Sequence, residues 1–84
     1  MKVLTDVEGK GMLGLIGKRV TLFCANYIYT GILSGINDDC VLLTEAAIVY
    51  ETGSLDSKTW KDVQELPHDW NVMKSAIESF GELK

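Results

Sequence analysis

KRVTLFCANYIYTGILSGINDDCVLLTEAAIV, the run from Lys18 to Val49, decides the fold of this chain. Val20, Leu22 and Cys24 alternate with Thr21 and Phe23, the period-two pattern of a strand with one buried face. Asn26 is the one turn-former before the next run, Tyr27 to Leu33, which is rich in β-branched and aromatic residues. Gly35, Asn37, Asp38 and Asp39 form a second turn signal, and Cys40-Val41-Leu42-Leu43-Thr44 follows it. Gly31 lies inside a strand run, where a glycine marks a sharp bend or a close backbone approach. Small barrels need such bends, and a tight antiparallel meander is the expectation.

Working outward, Glu45 to Tyr50 reads as a further strand, with Ile48 and Tyr50 on one face and Val49 on the other. Residues 51–58 form a polar loop containing Gly53. Trp60 to Leu66 reads as a last strand, closed by Pro67. Asp69 is placed to cap a helix over about 70–80, because Trp70, Met73, Ile77 and Phe80 recur at helical spacing with Ala76 on the same face. Gly81 supplies its stop. Residues 1–17 leave two readings open. Met12, Leu13, Leu15 and Ile16 could line a short helix, but Gly9, Gly11 and Gly14 each cost up to about 1 kcal/mol there. Met1 to Thr5 could instead be an extended strand.

The chain has 84 residues, 46% hydrophobic and 24% charged, which is the composition of one small globular domain spanning 1–84. A core of that size is marginal alone, and association commonly makes up the difference. Eight basic residues against 12 acidic ones give a net charge of −4, so there is no global basic footprint for nucleic acid. Cys24 and Cys40 sit in apolar strand patterns and read as buried reduced thiols, consistent with a cytoplasmic location. No leader pattern and no run near the ~20 apolar residues of a membrane span is present, so no membrane association is expected.

The chemistry is sparse. The serines lack any nucleophile motif, and His68 lies between Pro67 and Asp69 in an expected turn. Two thiols and one histidine fall short of a four-ligand zinc site. Asp38 and Asp39 are a turn pair of the kind that caps backbone amides. No enzymatic activity, metal or cofactor is expected.

Gly31-x-Leu33-x-x-Ile36-Asn37-x-x-Cys40-Val41-Leu42-Leu43 resembles the first signature motif of the Sm and Sm-like (LSm/Hfq-type) proteins. Gly17 to Leu22 resembles that family's approach to its first strand, and Ile48 to Gly53 falls where the second motif is expected. The resemblance covers about half of the chain. It implies a small, strongly bent, five-stranded antiparallel open barrel, here with a core over about 17–66 and a C-terminal amphipathic helix. It also implies a homo-oligomeric ring of roughly five to seven subunits that acts as a scaffold or chaperone-like component in RNA metabolism and binds single-stranded RNA.

The family's RNA-contact positions map onto Asn37, Asp39, Val41, Thr52 and Gly53. Asn37 stands for the motif's Asp, Asp39 for a residue that stacks on a base, and Val41 for an Asn that reads the base edge. Glu51 and Thr52 replace the second motif's cationic or polar pair, with Gly53 retained. Stacking and cationic contact, the two ingredients of single-strand binding, are thus depleted, and the RNA site is degenerate or relocated. Lys18, Arg19, Tyr27 and Tyr29 are the relocation candidates. The competing reading is an SH3-like β-barrel protein-interaction module without RNA binding, using an aromatic groove of Tyr27, Tyr29, Trp60 and Trp70.

Overall fold

A computed structural model describes residues 11–84. The expectations for Met1 to Thr5 lie outside the described residues. Among the described residues, six strands form one antiparallel sheet: β1 (Arg19–Cys24), β2 (Ile28–Ile36), β3 (Cys40–Glu51), β4 (Asp62–Glu65), β5 (Trp70–Met73) and β6 (Ile77–Gly81). The path through the sheet is β4-β3-β2-β1-β6, and β5 also pairs with β3. The mainly β, antiparallel class read from the sequence is observed.

Strand β3 explains the count of six. Its first part, Cys40 to Leu43, pairs with β5, and its last part, Ala47 to Glu51, pairs with β4. β4 and β5 therefore lie end to end along the same side of β3, as one strand interrupted at residues 66–69. Pro67 falls in that break, where its missing N–H leaves no ladder bond unmade. Opposite the break, Glu45 takes φ +49, and the Leu66 N–H still donates to the Ala46 carbonyl at 2.8 Å. Glu45 to Tyr50 is therefore an interior segment of β3, flanked by β2 and β4.

The expected C-terminal helix is not formed. Residues 70–80 are β5, a 3-10 turn (Lys74–Ala76) and most of β6. The apolar spacing misled because two short strands offset by a three-residue turn imitate a 3.6-residue period. Burial separates the two patterns. Trp70, Met73 and Phe80 of the supposed stripe are exposed, whereas Val72, which a helix would leave off that stripe, is only 4% exposed. As strands, the segment completes two ladders at once, β5 on β3 and β6 on β1. A lone helix would have left both rows of backbone groups unpaired.

The core is Val20, Leu22, Leu33, Val41, Leu43, Ala46 and Val72, with Met12, Leu15, Tyr29 and Leu66 packed against it. The predicted alternation of Val20 and Leu22 thus points inward. Over residues 11–17, ahead of β1, there is a single 3-10 turn, Leu13–Leu15, and no longer helix. The sheet is open: β5 and β6 are joined through one turn and are not paired to each other. No helix among the described residues is long and apolar enough to cross a membrane.

Both cysteines are free and partly buried. Burial first, and the Glu78 carboxylate second, raise the Cys24 thiol above its ordinary pKa. The fold thus favours the neutral thiol, and its stabilising contribution is complete below the unfolded value of about 8.5 and declines as pH rises past it. Iodoacetamide at about pH 8 is expected to label Cys24 several-fold more slowly in native protein than in urea. Peptide mass spectrometry reads the rates, and equal ones would contradict the burial.

Candidate functional site

The β2–β3 turn is organised by Asn37. Its Oδ1 accepts the Asp39 and Cys40 backbone N–H groups, each at 2.8 Å, and its own N–H donates to the Cys40 carbonyl at 3.0 Å. This is an Asx turn, in which a short polar side chain substitutes for a backbone acceptor. The capping expected of Asp38 and Asp39 is thus supplied by Asn37, and both carboxylates stand exposed. The Asp39 carbonyl in turn accepts the Lys74 N–H at 2.8 Å. That bond docks the β2–β3 turn against the 3-10 turn between β5 and β6.

One surface therefore carries Asn37, Asp38, Asp39, half-buried Lys74 and exposed Ser75. Lys74 and Ser75 were missed in the sequence because a helix across 70–80 turns them away from the first motif. The available signal was Val72 and Ile77, two β-branched residues bracketing a short polar turn. Val41 does not belong to this surface. It is 0% exposed, opposite Ile36 and Val72, with its side chain in the core.

Thr52 and Gly53 lie at the far end of β3, twelve residues long, and do not join the turn of Asn37 and Asp39. Gly53 has φ +67, a left-handed conformation suited to glycine. The Thr52 hydroxyl donates to the Gly53 carbonyl at 2.9 Å, and the Thr52 carbonyl accepts from the Lys84 ammonium at 3.0 Å. These two residues belong to the β3–β4 loop. Among the described residues, the relocation candidate Arg19 has one ion-pair contact, a long one of 4.0 Å to Glu45, both exposed, and such a pair contributes little.

A second surface is aromatic. Tyr27 and Tyr29 meet edge to face at 6.3 Å between ring centroids. Burial, then Cys24, Tyr27 and Tyr50, raise the Tyr29 phenol above the ordinary value, while a hydrogen bond with Trp70 opposes them. Tyr27 is 50%, Tyr50 52% and Trp70 39% exposed. Trp60, the fourth residue of the predicted groove, stands apart, under the Lys84 ammonium.

Among the described residues, no group of three or more His, Cys, Asp or Glu side chains converges on a point that could hold a metal ion. Comparison with known proteins adds no assignment: neither a protein-family model nor a curated protein matches the chain.

Proposed function

We propose that this protein is an Sm-like, ring-forming scaffold in RNA metabolism whose RNA site is reduced to weak, cation-dependent contact. The observation that carries the reading is the pair of free sheet edges. Among the described residues, β4 and β5 have no partner on their outer side, and neither has β6. An unprotected edge is a template for strand pairing, and natural edges are usually blunted by lysine, proline or bulges. β6, Ile77-Glu78-Ser79-Phe80-Gly81, has neither lysine nor proline and is interrupted only by a bulge at Glu78 in its pairing with β1, and apolar Val63, Trp70, Met73 and Phe80 stand exposed on these same strands. Joining one subunit's β6 to the next subunit's β4 side is a head-to-tail contact, and such contacts make a ring where the rotation from subunit to subunit closes and a filament where it does not. Burial of those side chains would supply the area that an 84-residue chain lacks.

The second support is local. The turn built by the Gly31-to-Val41 motif abuts a turn that carries Lys74, which sets one cation beside the first motif in place of the pair that the resemblance puts at Glu51 and Thr52. Asp38 and Asp39 outnumber that one lysine, so phosphate attraction at this surface is weak. Light scattering at micromolar concentration is expected to give roughly five to seven subunits; a monomer would defeat the proposal. Oligo-U is expected to bind only at low salt, and Lys74→Ala to weaken that binding severalfold. Unchanged affinity in the variant would remove RNA from this surface.

The SH3-like module is retained as a second reading because Tyr27 and Tyr29 form an edge-to-face aromatic cluster and Tyr27, Tyr50 and Trp70 are partly exposed. It requires a monomer that binds peptide through that cluster, so the same scattering measurement separates the two.

A further inference from the structure

Lys84 lies three residues beyond β6 and reaches back to the β3–β4 loop. Its ammonium donates to the backbone carbonyls of Thr52 at 3.0 Å, Ser54 at 2.8 Å and Thr59 at 2.9 Å. The same nitrogen stands 4.4 Å from the centroid of the Trp60 ring. A primary ammonium has three N–H donors and no acceptor, so three carbonyls satisfy it completely. The negative face of an indole adds cation–π attraction on the remaining side.

The cage belongs to the loop alone. Residues 52–60 contribute every acceptor and the ring, and contacts independent of Lys84 shape the loop: the Ser57 N–H donates to the Ser54 carbonyl at 3.0 Å, and Gly53 supplies the left-handed corner. We propose that this loop is a receptor for a primary alkylammonium group, that of an unmodified lysine side chain on a partner polypeptide, and that Lys84 is its resident intramolecular occupant. The chain's net charge of −4 favours a basic partner. A cleft of about 510 Å³, whose lining includes Trp60, Leu66, the carboxylates Glu45 and Glu65 and the cations Arg19 and Lys58, opens beside the cage and gives an incoming side chain its path.

The chemistry defines the selectivity. A trimethylated ammonium has no N–H to donate, and its methyl groups cannot fit at the 2.8–3.0 Å separations of the three carbonyls. A guanidinium is planar and presents its donors as a fork, which does not match three converging acceptors. The site therefore reads lysine in its unmodified state. Because Lys84 is tethered, its effective concentration at the cage is in the millimolar range or above, and a competing lysine enters only when residues 82–84 swing out.

The test compares wild type with Lys84→Ala by amide NMR and Trp60 fluorescence, titrating Nα-acetyl-lysine methylamide and its Nε-trimethyl form. In the variant, the lysine ligand is expected to give saturable shifts confined to residues 52–61, at least tenfold stronger than in wild type. The trimethyl form is expected to give none. Should the loop lose order in the variant, the lysine ligand restores its amide dispersion, which also supports the site. In wild type, the Lys84 ε-methylene protons are expected upfield, in the Trp60 ring current. Random-coil ε-methylene shifts, no saturable response or recovery in Lys84→Ala, or equal responses to both ligands would each overturn the proposal.

Discussion

A Gly31→Val chain is expected to be unfolded at room temperature, and Gly31→Ala to remain folded with stability lowered by about 1–3 kcal/mol. The reason is the crossing of β2 and β3. A Cβ built on Gly31 would stand 3.0 Å from the Thr44 carbonyl oxygen, 3.1 Å from the Ala46 Cα and 3.2 Å from the Leu43 Cβ. Two of these three neighbours are backbone, which cannot rotate aside as the end of a side chain can. They also flank Glu45, the point where β3 turns with φ +49, and the β2–β3 register shifts between Thr30 and Ile32. The bend of β3 and the absent side chain of Gly31 are one feature. A valine adds two further methyl groups to a site with no room for the first carbon. The total stability of a domain is only about 5–15 kcal/mol, with small chains at the low end. Gly35→Ala is the control, because its Cβ would meet only the Leu42 Cβ, at an ordinary 3.7 Å. Thermal melts followed by circular dichroism compare the three variants. Equal midpoints for Gly31→Ala and Gly35→Ala would show that the strands cross with room to spare.

The same glycine shows why the meander was legible. Its spacing from Leu33 and Ile36, the alternation of Val20 and Leu22, and the Asn37 turn are local signals, and the strands they define pair with their sequence neighbours. What was not legible depends on distant partners. Trp70 to Met73 is a strand because Cys40 to Leu43 offers it an open ladder, and Ile77 to Gly81 is one because β1 offers another. Neither offer is visible in a window around residue 75, where the apolar spacing fits a helix equally well. The candidate positions part company at the same point. Asn37 and Asp39 were correctly put in the turn, but their neighbour Lys74 arrives from a segment whose fold is set 31 to 34 residues earlier in the chain. Thr52 and Gly53 were assigned to the second motif by proximity in sequence, and the sheet carries them to the other end of β3.

Val41→Asn is expected to cost about 3–5 kcal/mol, whatever it does to RNA binding. On the family pattern, an asparagine at this position reads a base edge, and pairing it with Asp39→His would be the natural way to rebuild a uridine site. The geometry separates the two changes. Val41 is fully buried between Ile36 and Val72, so an amide there exchanges apolar packing for donors and acceptors that the surrounding aliphatic groups cannot satisfy. Asp39 is exposed, and its backbone carbonyl, which holds the Lys74 N–H, is unchanged by a histidine side chain. Asp39→His is therefore expected to melt within a few degrees of wild type while removing one negative charge and adding a ring that can stack on a base. Affinity for oligo-U should rise in that single variant, and the double variant should lose it again through unfolding. Denaturant titration of the three variants alongside RNA binding tests this ordering. A stable Val41→Asn protein would place that side chain at the surface, and with it the base-reading position that the core now occupies.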